Sequence, residues 1–434
     1  MIAVEEALDR ILGSISPLGL EKVDILNALG RVLGEDIYAD MDIPPNDNSA
    51  MDGYALCSGD TQGASGEAPV TLNVLEDIPA GNVPQKCVSH GEASRIMTGA
   101  SIPEGADAII RVEETEKTGK SVKIFAGAVK GQDIRFAGED VKDGELVISR
   151  GNVVRPAETG MMASLGRSFV YVRQRPLIAI LTTGDELVDV DGEISPGKIR
   201  NSNSYSIAAQ VMDCGGIPLQ IGIAKDIRED IIAKFKAAMR ADIIISSGGV
   251  SVGDYDLVKN VMSEAGNRME FWQVAMRPGK PLACGTIEDI PALGLPGNPV
   301  SSMISFEQFA RPAILKLMGH KRLFRKAIKA TLKEDIKKKR GFKHFIRAQI
   351  RYEEGKITAL TTGEQGSGIL KSMVKANGLI VLPEDIAWAK TGDEVTVQLI
   401  DNSLELTTEP EYLTDPEPEE LKAQNEKQSI ANKF

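Results

Sequence analysis

At 434 residues the chain has length for roughly three domains, and its 42% apolar residues can fill several cores. A formal net charge of -12 and a pI near 5.1 exclude nucleic acid and an anionic membrane as the main partner, so an anionic substrate would need a local basic pocket. No run of about 18 apolar residues occurs, and the opening MIAVEEALDRIL is amphipathic and carries acids rather than a basic leader; a cytoplasmic protein is expected.

Taken in chain order, residues 4–12 predict a helix, and residues 22–33 predict another from Val23, Ile25, Leu26, Leu29, Val32 and Leu33 at mixed i, i+3, i+4 spacing. Pro44 and Pro45 then stop regular structure. Residues 46–137 change to short β-branched runs such as PVTLNVL and SVKIF, broken by Gly and Pro, which reads as a small β-rich domain. Residues 138–172 return to a helical piece, PAETGMMASLG, with Pro156 suited to the first helical turn. Residues 1–45 and 138–172 are therefore expected to form one split, helical, elongated domain that carries 46–137 as an insert. From 173 to 324 apolar runs and helical patterns alternate, which predicts a doubly wound α/β domain, a mostly parallel sheet with helices on both faces. Residues 325–407 are again short strands and predict a small C-terminal β-barrel. The acidic, proline-containing residues 408–434 predict a disordered tail, and the run 337–340 a solvated turn.

In a doubly wound sheet, ligands bind where the strands end, so the residues after each apolar run are the candidates. TTGDEL supplies Asp185 and Glu186, AKD supplies Asp226, and SSGGVSVGDYD supplies Ser251, Asp254 and Asp256. MRPGKP adds Arg277 and Lys280, and in LPGNP Asn298 can cap a helix whose first residue is Pro299. Any one of these is an ordinary loop residue. Carboxylates from three successive strand ends beside two cations are what a metal-bound phosphate ester needs. Gly248, Gly249 and Gly253 lie around two hydroxyls and two aspartates, which favours close backbone approach to a ligand. Hard oxygen donors point to Mg²⁺. The histidines His90, His320 and His344 fall in no metal-ligand spacing, and Cys57, Cys87, Cys214 and Cys284 read as buried free thiols. Residue chemistry alone therefore reaches an Mg²⁺-dependent enzyme acting on a nucleotide-like phosphate.

Several longer words identify a family. NSAMDGYA (48–55), RIMTGASIPEGADAIIRVEE (95–114), GED (138–140), TTGDEL (182–187), SSGGVSVGDYD (246–256), MRPGKP (276–281) and LPGNPVSS (295–302) occur in the order found in the MoeA family of molybdopterin molybdenumtransferases. The chain resembles that family, whose eukaryotic relatives include the gephyrin E domain, over about residues 1–405. The resemblance implies a MogA-like α/β domain at 173–324. It also implies Mg²⁺-dependent insertion of molybdate into adenylylated molybdopterin with release of AMP, late in molybdenum cofactor biosynthesis. Carried over by position, Glu186, Asp226 and Asp256 are acidic catalytic and metal-holding residues, with Ser251, Gly248 and Gly249 near the phosphate. Arg277, Lys280, Arg347 and Ser367 form the molybdate pocket, and Pro296 and Pro299 shape its floor. Arg277 stands where many members carry lysine; charge is kept, but a planar fork replaces an ammonium. The family is a homodimer, which implies that Asp52 and Thr98 of one copy complete the site of the other. A MogA-type adenylyltransferase is the implied partner.

Two other readings are distinguishable. Adenylylation of molybdopterin itself is the work of small single-domain proteins, and the additional domains here weigh against it. Scaffolding, as in the gephyrin relative, would need long linkers or a partner domain, and this sequence offers only a short acidic tail. A choice between molybdate and tungstate is not encoded in residues that bind a tetrahedral dianion.

Overall fold

Val4, Ala7 and Ile11 recur at helical spacing, and in the computed structural model they form the buried face of α1 (Val4–Gly13). The structure describes residues 1–248, 268–353, 355–406 and 410. Chain contacts divide it into two units, Met1–Gly19 with Arg173 onward, and Leu20–Val172. The apolar face of α1 shares a core with Ile207, Phe309 and Ile314. Residues 1–19 thus pack with the α/β part of the chain rather than with residues 138–172, a correction to the expected 1–45 segment. No helix among the described residues is long and apolar enough to cross a membrane.

The Leu20–Val172 unit contains β1 (Leu20–Asp24), β2 (Ile37–Tyr38), β3 (Asn48–Ser49), β4 (Gly53–Leu56), β5 (Val70–Ile78), β6 (Glu92–Ile96) and β7 (Ala108–Arg111). It continues with β8 (Thr115–Thr118), β9 (Ser121–Ile124), β10 (Ile134–Arg135), β11 (Leu146–Ile148), α2 (Pro156–Ser164) and β12 (Phe169–Arg173). The helix expected at residues 22–33 is not formed. β1 pairs with β12 instead, and Asp24 Oδ1 accepts from the backbone N–H groups of Leu26 (2.9 Å) and Asn27 (3.2 Å), turning the chain. A short acid that satisfies backbone donors locally competes with helix bonds, and Leu26 and Leu29 are left exposed. α2 does form, with Pro156 at its start and the Glu158 carboxylate accepting from Arg155 N at 2.9 Å. The β-rich part is a sheet in the order β7-β4-β6-β5-β9-β8. Tyr54 and Leu56 fill one of its faces, and Ala55 and Ile109 the other.

The second unit continues with β13 (Leu177–Thr183), β14 (Leu187–Val188), β15 (Ile199–Arg200), α3 (Ser202–Asp213), β16 (Ile217–Ala224), α4 (Arg228–Ala238) and β17 (Ile243–Ser247). Next come β18 (Arg268–Gln273), β19 (Met276–Arg277), β20 (Pro281–Ile287), β21 (Ile290–Leu295), α5 (Pro299–Ser305) and α6 (Arg311–Leu317). The strand order is β16-β13-β17-β21-β20-β18. Ile178, Ile180, Ile243 and Ile245 face one core, whereas Ala179, Leu181 and Ile244 face another. Period-two alternation between two apolar layers is how a sheet covered on both faces is read, and it explains the continuous apolar runs. β13 pairs in parallel with β16 and β17, and β17 with β21. The far edge is antiparallel, because β20 and β21 join through Glu288 and Asp289, both at positive φ (47 and 68). A two-residue hairpin leaves no length for a crossover.

The last segment gives β22 (Ala327–Leu332), β23 (Ile336–Lys337), β24 (Lys343–Glu353), β25 (Lys356–Thr361), α7 (Lys371–Val374), β26 (Gly378–Leu382), β27 (Trp388–Ala389) and β28 (Glu394–Leu399). The order β24-β25-β22-β28-β26 closes through a β24–β26 pairing, which is the expected small barrel. β19 joins β24 in parallel, with Arg277 opposite His344. The tail expected from residue 408 lies outside the described residues except at 410.

Candidate functional site

Because β13, β16, β17 and β21 run parallel, their carboxyl ends emerge along one edge of the sheet. A crevice of ≈ 380 Å³ opens there, lined by Thr183, Gly184, Glu186, Asp226, Ser247, Gly248, Pro296 and Pro299 among others. Glu186, Asp226, Gly248, Pro296 and Pro299, drawn from separate parts of the sequence, are thus brought together. Gly249, Ser251, Gly253, Asp254 and Asp256 lie outside the described residues. Gly184 takes φ +143, and a Cβ there would fall 2.5 Å from the Glu186 carboxylate. At Gly248, φ is +93 and a Cβ would meet the Thr183 carbonyl oxygen at 2.5 Å. Both positions need glycine for conformation, and Gly248 also for lack of space, because its obstacle is backbone whereas the exposed Glu186 side chain beside Gly184 can turn away. Asp226 N donates to Asp185 Oδ1 (3.1 Å), so Asp185 braces one acidic loop against the next.

Sequence reasoning missed the asparagines that hold this edge. Asn201 Nδ2 donates to Thr182 Oγ1 (2.8 Å), while its Oδ1 accepts from Ser204 N (3.2 Å) and caps α3. Asn203 Nδ2 donates to Ser247 Oγ (2.8 Å) and to the Gly297 carbonyl (2.7 Å), and Ser247 Oγ donates to the Pro296 carbonyl (3.1 Å). The ends of β13, β17 and β21 are thereby fixed by buried side chains whose polar groups are partnered. The available signal was N-S-N before a helical pattern, which marks a helix start. Asn298, by contrast, stands at the start of α5 without a side-chain capping bond. Thr183 Oγ1 is buried at the crevice wall with no hydrogen-bond partner.

The basic residues divide between two further cavities that share Arg277. Arg277, Lys280 and Ser367 line one of ≈ 450 Å³. Arg277 and Arg347 line another of ≈ 540 Å³, together with His344, Lys337, Lys338 and Lys339. Pro296 and Pro299 line neither; they belong to the strand-end crevice. The expected four-residue pocket with a two-proline floor is therefore spread over adjoining spaces. Arg347 is 1% exposed, and its Nε donates to Ser372 Oγ (3.0 Å) and Nη2 to the Gly366 carbonyl (3.0 Å). Both acceptors are neutral, and burial pushes the guanidinium down to about 10. A buried cation with only neutral acceptors gains from a bound anion. The run 337–340 supplies three lysines to a cavity rather than a plain solvated turn.

Asp52 and Thr98 lie in the other unit. Asp52 Oδ1 accepts from Thr98 N (2.7 Å) and Thr98 Oγ1 (2.8 Å), and these bonds hold its carboxyl below the usual range. The cysteine expectation is half corrected: Cys214 and Cys284 are buried, Cys87 is exposed and Cys57 is half-buried.

Comparison with known proteins covers most of the chain. Residues 2–166 match the family model for the MoeA N-terminal region (domain I and II). Residues 179–316 match the one described as "Probable molybdopterin binding domain", and residues 329–400 match the MoeA C-terminal region (domain IV). The chain is 37% identical over 405 residues to the molybdopterin molybdenumtransferase of Staphylococcus aureus (strain COL), covering 92% of this chain and 96% of the relative. It is 40% identical over 385 residues to molybdopterin molybdenumtransferase 2 of Mycobacterium tuberculosis (strain ATCC 25618 / H37Rv), covering 86% and 94%. The crystal structure of the molybdopterin biosynthesis moeA protein from Pyrococcus horikoshii OT3 superposes with TM-score 0.78 at 34% identity, covering 92% of this chain and 100% of that one.

Proposed function

The chain belongs to the MoeA family, and from that premise we infer that it is a molybdopterin molybdenumtransferase acting late in molybdenum cofactor biosynthesis. The observation that carries the reading to residues is the convergence of Glu186, Asp226 and Gly248 in one strand-end crevice. In this proposal adenylylated molybdopterin lies there, molybdate is the second substrate, and AMP leaves.

The donor chemistry of the crevice suits Mg²⁺: Glu186 and Asp226 offer carboxylate oxygens, and among the described residues no histidine or cysteine lines it. Glu186 and Asp226 would hold the ion with Asp256. Its chemistry would be neutralisation of charge on the pyrophosphate-type group being cleaved. The remaining work belongs to the chain itself. Gly248 lets the backbone approach the substrate phosphate, and Ser251 is assigned beside it. Arg277, Lys280, Arg347 and Ser367 hold the molybdate oxygens and stabilise charge as the bond breaks. Pro296 and Pro299 shape the wall of the crevice. The same proposal includes a cytoplasmic homodimer in which Asp52 and Thr98 of one copy complete the other's site, supplied by a MogA-type adenylyltransferase.

The test is AMP release from adenylylated molybdopterin with molybdate and Mg²⁺. Glu186→Gln, Asp226→Asn and Asp256→Asn should each slow it by about 100- to 1,000-fold, the range for losing one charge-stabilising group, while circular dichroism stays native. Unchanged turnover in all three would reject the assignment.

A further inference from the structure

In the Leu20–Val172 unit three side chains of different chemistry meet apart from every residue used above. Cys57 precedes the 3-10 turn Ser58–Thr61, and Asp60 lies three residues on, with Asp60 N donating to the Cys57 carbonyl at 3.0 Å. Cys57 is in extended backbone as the turn begins, and the bond brings the chain back so that its thiol and the Asp60 carboxylate come close. The facing wall is the turn before β6. Glu92 N donates to the Ser89 carbonyl (3.1 Å) and Gly91 takes φ +80, which presents His90. His90 Nδ1 lies 2.7 Å from Asp60 Oδ1, and Gly91 N donates to Asp60 Oδ2 at 2.9 Å, fixing how the carboxylate points. The donor atoms of Cys57, Asp60 and His90 all lie within 4.8 Å of one another.

We propose that Cys57, Asp60 and His90 form a second metal site, which takes a Zn²⁺-class cation through sulfur, carboxylate oxygen and imidazole nitrogen, with water as the fourth ligand. Thiolate and imidazole select such ions over Mg²⁺, which separates this site chemically from the all-oxygen crevice. Tetrahedral ligation sets donors roughly 3–4 Å apart, a spacing that small rotations reach from the present arrangement. The His90 side chain is 87% exposed and bonded to Asp60, itself 14% exposed and held by Gly91 N, so an ion would replace the His90–Asp60 contact by a shared ligation. As the metal–sulfur bond forms, the Cys57 thiol loses to solvent the proton it now donates to the Gly105 carbonyl (3.1 Å). The ion would tie the turn after β4 to the turn before β6.

The experiment uses the full chain, reduced and chelator-treated, titrated with Co²⁺ and then Zn²⁺. A thiolate-to-cobalt charge-transfer band should saturate at one Co²⁺ per chain and vanish as Zn²⁺ displaces it. Cys57→Ser should abolish the band, and His90→Gln, on an exposed turn, should weaken binding by at least about tenfold. Cys87→Ser should leave the band unchanged. No band in the unsubstituted chain, or a band that survives Cys57→Ser, overturns the proposal. AMP release by Cys57→Ser should stay at the unsubstituted level, so loss of the metal site is separable from loss of the transferase reaction.

Discussion

At the scale of single residues, His344 reports on its cavity. Burial first, then Lys338 and Arg277, push its imidazole from 6.5 down to about 4, and Nε2 is buried without a hydrogen-bond partner. The folded state favours the neutral ring. The stabilisation is therefore complete above the unfolded value of 6.5 and is lost as pH falls toward about 4, because the unfolded chain takes up the proton first. The melting temperature of the unsubstituted protein should fall more steeply across that window than that of His344→Gln. Parallel curves would show that the ring does not titrate against folding. Glu186, Asp226, Arg277 and Lys280 were legible as polar residues placed just after apolar runs. Arg347 was not legible as buried from its strand pattern, since Phe345, Ile346 and Ala348 beside it are buried as well. Arg347 lies on the face of β24 opposite Ile346, Ala348 and Ile350, which fill the barrel, and its burial comes from the distant residues it bonds, Gly366 and Ser372.

At the scale of elements, close approach decides more than propensity does. A Cβ on Gly53 would fall 1.9 Å from the Ile110 carbonyl oxygen, where β4 pairs with β7. No side chain at that position can rotate away from a backbone atom. Gly53→Ala should cost about 1–3 kcal/mol or more by overpacking, read as a lower denaturant midpoint with an unchanged slope. An unaltered midpoint would mean that the two strands separate freely. The same scale explains the segment at residues 22–33. Its apolar spacing suited a helix, but pairing of β1 with β12 and the bonds accepted by Asp24 took the backbone donors first. In the α/β part, apolar runs followed by amphipathic stretches marked the parallel strands, while the Glu288–Asp289 hairpin set the antiparallel edge.

At the scale of the whole molecule, the proposed homodimer has a test independent of any single site. Asp52→Asn and Glu186→Gln inactivate different halves of a composite site, so dimers reassorted from the two variants contain some intact sites. Mixing equal amounts after dissociation should recover roughly a quarter of the unsubstituted activity by random pairing. No recovery, with exchange verified by mass, would confine each site to one copy.

The sequence by itself determined the alternation of apolar runs and helical patterns that gives the α/β part. It also determined the short strands of the other parts, the acids and cations at the strand ends, and the words that mark the family. These are local properties, set by side-chain period and by turn chemistry. Tertiary structure alone decided that α1 joins the α/β core, that β19 carries Arg277 onto β24, and that Asn201 and Asn203 brace the crevice. It alone brought Cys57, Asp60 and His90 within reach of one ion. Each of these depends on contacts between distant residues, and such contacts follow from burial and pairing in three dimensions rather than from any window of sequence.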